Sequence, residues 1–219
     1  MAGFTLFATE LPLEQAVKKE EPKTVTDYAR AIFKGAFLPI AVFLNRLGIK
    51  PNTITILGLV GHVGGAVLAA LGYMTWAGLL LLVMAPFDFL DGTMARLRGE
   101  SSNFGAFVDS VTDRYSEFFI LGGLLVYFLE HSNREGAMLV YLAAAGSLLV
   151  SYIRGRAEAL GYDAKIGILS RLERYIVLIP GLVFNIPVAA LWVIAVLSNV
   201  TAVQRILHVR RQAHAARVK

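Results

Sequence analysis

Long runs of apolar residues, each closed by a short polar patch, recur from Pro51 to the end of this chain. A membrane-spanning helix needs roughly 20 mostly apolar residues. The pattern predicts six spans, at residues 51–71, 76–97, 104–129, 137–160, 172–184 and 187–205. Pro51 suits the first turn of a helix, where a missing N–H has no partner to lose, and Asn52 or Thr53 can cap nearby donors. Upstream, Tyr28, Ile32, Phe33, Phe37, Ile40, Phe43, Leu44 and Leu47 recur at helical spacing, with Asp27, Arg30, Lys34 and Arg46 among them. That is the pattern of an amphipathic helix lying in the membrane interface over residues 25–48, kinked at Pro39. Residues 1–24 alternate Glu and Lys with no sustained apolar core and read as a mobile polar tail, neither a signal peptide nor a span. The expected fold is therefore an all-α integral membrane protein. Six transmembrane helices over residues 49–213 follow an N-terminal interfacial amphipathic helix, and residues 214–219 form a basic tail.

Composition strengthens this reading: 56% of the 219 residues are hydrophobic and 17% charged, far more apolar than an ordinary globular domain. The chain has no cysteine, which excludes disulfides and thiolate metal sites. A net charge of +5 fits nucleic acid as readily as a membrane surface, so the placement of the charges decides. Residues 1–50, 96–102, 154–174 and 205–219 hold 19 of the 21 Lys and Arg, leaving Arg114 and Arg134. The opposite loops, near residues 72–75, 130–135 and 185–187, carry only Arg134. The positive-inside rule then puts both termini in the cytoplasm and makes the number of spans even. This is a multi-pass cell-membrane protein without a nucleic-acid partner. No 20–50-residue repeat is evident, so neither a solenoid nor an inverted-repeat transporter is indicated.

Into this apolar chain residues 88–113 place four carboxylates, Asp88, Asp91, Asp109 and Asp113. An ionisable residue inside a span is costly and marks a polar cavity or a functional site. The spacings of three and four put each pair on one helix face. Two such pairs facing each other make an all-oxygen cage suited to hard divalent cations. The plainer alternative is that the acids pair with Arg96 and Arg114 to fix helix packing. Gly92, Ala95 and Gly105 remove side-chain bulk where a large anionic ligand would approach the backbone, although small residues equally serve tight helix packing. Arg96 offers a fork of donors suited to phosphate oxygens. The polar loop near residues 98–103 places this chemistry on the cytoplasmic side.

The run DFLDGTMAR, eight residues, then GAFVDSVTD resembles the full pattern of the CDP-alcohol phosphotransferase family, D-x2-D-G-x2-A-R-x8-G-x3-D-x3-D, at every fixed position. The similarity extends from Thr26 to Arg210. It implies a site for two divalent ions, Mg²⁺ or Mn²⁺, held by Asp88, Asp91, Asp109 and Asp113. It further implies that Asp113 is the general base, that a hydroxyl attacks the lipid-linked phosphorus of a CDP-lipid, and that CMP leaves. Gly92, Ala95, Arg96 and Gly105 match the nucleotide cradle, and Pro51, Asn52 and Thr55 match a second contact region, where Asn52 and Thr55 equally serve as helix caps. The family also implies a homodimer.

The stretch SYIRGRAEALG, followed by SRLER and by AVQR, resembles the branch of that family whose acceptor is inositol phosphate. Basic residues matching Arg154, Arg174 and Arg205 there hold the acceptor's phosphate, with Arg156 and Arg171 as neighbours. The implied reaction moves a phosphatidyl group from CDP-diacylglycerol to inositol phosphate. This chain departs from the common bacterial pattern with Arg154 where Lys is usual and Leu172 where Pro often stands. Archaeal members acting on ether lipids carry Arg in a similar context, and a glycerol 3-phosphate acceptor would also need a basic pocket. The arginines equally read as positive-inside anchors, and acids on membrane helices also occur in divalent-cation transporters, which have no evident use for DGxxAR.

Outside the motif, Gly61 and Gly65 form a GxxxG pair expected to serve packing within or between subunits, and His62 beside them reads as structural. His208, Arg210, Arg211 and His214 are expected to face lipid headgroups.

Overall fold

The computed structural model describes residues 37–100 and 102–217, with the backbone alone at Asp88, Ala216 and Arg217. Among the described residues every regular element is a helix. In order they are α1 (Phe37–Arg46), α2 (Pro51–Ala70), α3 (Met74–Met84), α4 (Phe87–Arg98), α5 (Asn103–Glu130), α6 (Arg134–Ala159), α7 (Arg171–Val183) and α8 (Pro187–Arg217). The expected tail at residues 1–24 and the first part of the expected interfacial helix lie outside the described residues. Its second part is α1.

α2 packs against α3, α4 and α5; α6 packs against α5 and α8; α7 fits between α3 and α8. Three short turns, at residues 71–73, 131–133 and 184–186, gather at one end of the bundle. There the Thr75 hydroxyl donates to the Val183 carbonyl at 3.1 Å and Trp192 Nε1 donates to Glu135 at 2.8 Å. Each turn contains one residue in the left-handed region, Gly72 (φ 83°), Ser132 (φ 53°) and Asn185 (φ 57°), the usual way to close a helix C-terminus.

Among the described residues four stretches are long and apolar enough to cross a membrane: Pro51–Ala70, Met74–Arg98, Arg134–Ala159 and Pro187–Ala215. α5 is longer than most of them at 28 residues, but Asp109, Asp113, Arg114 and Glu117 make its N-terminal half polar. α7 has 13 residues, about 20 Å at 1.5 Å per residue, less than the roughly 30 Å of a hydrocarbon core. The expected second span is interrupted at residues 85–86, because Pro86 has no N–H for the helical ladder and α4 restarts behind it. α8 does not stop at Arg205 but continues to Arg217, into the residues expected to be a basic tail. Its extension is anchored where the Asp163 amide donates to Gln212 Oε1 at 3.0 Å and Gln212 Nε2 donates back to the Asp163 carbonyl at 2.6 Å.

The main core joins α2, α3, α5, α6, α7 and α8 through Leu81, Ile120, Leu124, Phe128, Leu182 and Leu191, with Ala66, Ala69, Ala77 and Ala143 between them. Small residues let backbones approach: a Cβ on Gly123 would overlap the Ala66 carbonyl of α2, and one on Gly78 would stand 2.7 Å from the Val183 amide. The GxxxG pair serves packing inside the chain, since a Cβ on Gly61 would strike the Met84 thioether and one on Gly65 would meet Ile120 at 3.1 Å. His62 is fully buried beside it, its Nδ1 2.7 Å from the Gly58 carbonyl. A smaller core, Ala41, Ile54, Leu90 and Met94, seats α1 on α2 and α4. Arg98 secures that seat by donating to Asn45 Oδ1 at 2.8 Å and to the Ile49 carbonyl at 2.7 Å.

Candidate active site

The site lies at the other end of the bundle, where α4 runs into α5 and the loop between α6 and α7 crosses α8. Asp91 on α4 is 6% exposed. Its Oδ2 accepts from the Thr55 hydroxyl at 2.5 Å and its Oδ1 from the Gly92 amide at 2.6 Å. Thr55 thereby ties the start of α2 to the acidic motif. Thr55 also stands 3.3 Å from the Pro51 carbonyl, but one hydroxyl has one proton, and the shorter, charge-assisted bond is the stronger claimant. Arg96 donates from Nη2 to the Thr93 hydroxyl at 3.1 Å. At the head of α5 Ser102 is the N-cap, accepting from the Gly105 amide at 3.0 Å, as expected of a serine facing unpaired first-turn donors.

Two cavities open here. One, of about 410 Å³, is lined by Pro51, Asn52, Thr55, Asp91, Gly92, Ala95, Arg96, Gly105 and Asp109, together with Lys50 and Glu100. The other, of about 580 Å³, is lined by Asp109, Asp113, Arg154, Arg171, Arg174 and Arg205. Asp109 is common to both. Every residue that the family pattern matched to the nucleotide thus lines the first cavity, and every residue matched to the acceptor phosphate lines the second. Packing inside this chain does not require Gly92, since a Cβ there would meet nothing closer than Arg96 Nη1 at 3.5 Å. Gly92 therefore differs from Gly78 and Gly123, where another backbone stands in the way.

On the second cavity, α7 supplies the partners that close ion pairs. Arg171 Nη1 stands 2.5 Å from Asp113 Oδ1, whereas Arg114 is 3.9 Å from the same carboxylate and also donates to the Ser110 carbonyl. Arg174 is 2% exposed and gives Nε and Nη2 to the two oxygens of Glu117 at 2.6 and 2.9 Å. Arg205 donates from Nε to the Ile166 carbonyl at 2.8 Å and from Nη1 to the Val150 carbonyl at 2.6 Å. Arg154 pairs with Glu158 one turn along α6, at 2.9 Å, on the exposed rim. The loop before α7 is pinned on α8 as well, the Leu169 amide donating to the Thr201 hydroxyl at 3.1 Å. The hydroxyl of Ser170 bonds the Glu173 carboxylate at the first turn of α7.

Sequence reading missed Glu117 and gave Arg171 only a neighbour's place. Glu117 carried a signal, because it continues the four-residue step of Asp109 and Asp113 along one face of α5. Arg171 carried none beyond its charge, as its partner lies on another helix.

Asp91, Asp109 and Asp113 offer hard oxygen donors on the cavity walls, the chemistry that a divalent cation requires. Among the described residues no three acids or histidines stand close enough together to hold an ion. The side chain of Asp88 lies outside the described residues; of the other three acids expected in the cage, Asp91 lines the first cavity, Asp113 the second and Asp109 both.

A family model, CDP-alcohol phosphatidyltransferase, matches residues 49–210. A phosphatidylinositol phosphate synthase of Streptomyces avermitilis is 35% identical over 202 residues, covering 84% of this chain and 82% of that protein. One from Mycobacteroides abscessus is 35% identical over 192 residues, covering 83% and 87%. Among solved structures, Mycobacterium tuberculosis phosphatidylinositol phosphate synthase with CDP-DAG bound is 33% identical, with a TM-score of 0.73 over 78% of this chain and 92% of that one. The same enzyme in complex with manganese and citrate also has a TM-score of 0.73, at 34% identity, over 78% and 87%. With the complete acidic pattern in place and all but the ends of the chain matched, this protein belongs to the CDP-alcohol phosphatidyltransferase family.

Proposed function

We propose that this protein transfers the phosphatidyl group of CDP-diacylglycerol to a hydroxyl of inositol phosphate, forming phosphatidylinositol phosphate and CMP. The observation that carries the reading is the pair of cavities meeting at Asp109, one lined by the cradle residues and the other by arginines. A reaction that joins two anionic substrates needs two pockets sharing one wall, and that wall must carry the chemistry.

In this reading Pro51, Asn52, Thr55, Gly92, Ala95, Arg96 and Gly105 hold the nucleotide of the donor. Arg154, Arg174 and Arg205 hold the acceptor phosphate, whose charge and geometry suit guanidinium forks. Asp113 takes the proton of the acceptor hydroxyl. That oxygen attacks the phosphorus bonded to the diacylglycerol, the phosphoanhydride bond breaks, and CMP leaves with the bonding electron pair. Mg²⁺ or Mn²⁺, two per site, held by Asp88, Asp91, Asp109 and Asp113, would supply neutralisation of the pyrophosphate charge. The relative solved with manganese supports a divalent metal, and the relative solved with CDP-DAG supports the donor.

The same reading makes α3 with α4 one interrupted pass and α5 and α7 full passes, for six spans. α5 is shielded on its polar half by the cavities, and α7 is completed at each end by its turns. It makes α1 the end of an interfacial helix, puts both termini and the site on the cytoplasmic side, and assembles the protein as a homodimer. Purified protein with CDP-diacylglycerol and Mg²⁺ should release CMP with inositol phosphate, and EDTA should stop the release. Turnover with glycerol 3-phosphate alone would overturn the acceptor assignment.

A further inference from the structure

Glu117 lines neither cavity, lies outside the family pattern and is buried, yet it takes two of the nitrogens of a guanidinium that does line the acceptor-side cavity. The Leu169 carbonyl stands 3.4 Å from the third nitrogen, Nη1. A guanidinium has five N–H groups in a fixed fork. With Nε and one edge of each terminal nitrogen engaged, one N–H remains on Nη1 and one on Nη2. Those two N–H groups are the ones left for a phosphate. A long Arg side chain left to itself samples many rotamers, whereas a bidentate carboxylate sets both the plane and the rotation of the fork.

We propose that Glu117 is the positioning residue of the acceptor site. Through Arg174 it fixes the N–H groups that meet the acceptor's phosphate, and it thereby sets the preference for phosphorylated over unphosphorylated alcohols. The inference rests on the reading of that cavity as the acceptor's. α5 then serves three roles at successive four-residue steps, with Asp109 between the cavities, Asp113 at the hydroxyl and Glu117 behind the arginine.

The test uses the purified full chain with Glu117→Gln and Glu117→Asp, the second keeping the charge but shortening its reach. Both should raise the KM for inositol phosphate about ten- to a hundredfold, the size expected of a displaced binding group, while the KM for CDP-diacylglycerol stays as in the native protein. The preference for inositol phosphate over free inositol should fall in proportion. Protection against heat by inorganic phosphate, which needs no donor and no turnover, should be seen in the native protein and lost in E117Q. A native acceptor KM in either folded variant, or equal rises for both substrates, would overturn the proposal. Failure of both variants to fold would do so too, by assigning the pair to helix packing alone. If the native protein turns over no inositol phosphate, the proposed function fails. The phosphate-protection measurement still judges Glu117 in that case.

Discussion

Asp113 and Glu117 stand one turn apart on α5, and each meets a different arginine of α7. The separation gives their substitutions different signatures. Asp113→Asn should keep the protein folded, since an amide still fits beside Arg171, and should lower CMP release by at least the roughly 10²–10⁴-fold contributed by a general base. Substantial residual turnover would mean that another group takes the proton. Arg154 and Arg205 form a second contrast. Arg154 sits on the exposed rim with Glu158, a kind of pair worth about 0.3–0.5 kcal/mol, so Arg154→Ala should raise the acceptor KM and leave thermal unfolding nearly unchanged. Arg205→Ala should raise the same KM and also destabilise by roughly 1–3 kcal/mol, because the carbonyls of Val150 and Ile166 lose their donor. KM and melting temperature measured together on both variants check the distinction. The positive-inside reading of these arginines accounts for their end of the bundle, but it says nothing of carbonyls gripped by a buried fork.

At the scale of elements, α2 and α5 approach so closely at Gly123 that the Ala66 carbonyl occupies the place of a side chain. Gly123→Ala should therefore destabilise by about 1–3 kcal/mol, the range for overpacking a tight contact, read as a lower melting temperature in detergent. Gly122→Ala, where an added Cβ meets nothing within 4 Å, is the control and should melt as the native protein does. Long helices were legible because their patterning is local: α2, α5 and α6 lie within a few residues of their expected limits. The interruption at Pro86 was written in the sequence and passed over, since an apolar run masks a missing donor. The length of α8 was not legible from an apolar run, because after Ile206, Leu207 and Val209 the chain turns to Arg, Gln, His and Ala, and the helix there is held through contacts such as Gln212 with Asp163.

For the whole molecule, the lack of cysteine makes orientation directly measurable, since any introduced thiol is the only one. A membrane-impermeant maleimide should label Glu130→Cys in intact cells, and Lys165→Cys only after permeabilisation; the reverse pattern would invert the proposed topology. Both positions are exposed and they lie at opposite ends of the bundle. The charge pattern and the fold agree at this scale, as Arg98, Arg154, Arg171, Arg174 and Arg205 all gather at the end that bears the acids. In the proposed reading, insertion of the chain and recognition of anionic substrates favour the same residues in the same place.

By itself the sequence determined the helical class, the acidic pattern and the positions of the basic residues along the chain. These follow from spacing along a helix, where hydrogen bonds between near neighbours fix the register regardless of what packs outside. Only the tertiary structure decided that Asp109 divides two cavities, that Arg171 rather than Arg96 or Arg114 stands closest to Asp113, and that Glu117 holds Arg174. Those pairings depend on how α2, α5, α6, α7 and α8 lie side by side, and that placement is set by contacts between residues dozens of positions apart, such as Gly123 with Ala66 and Thr201 with Leu169.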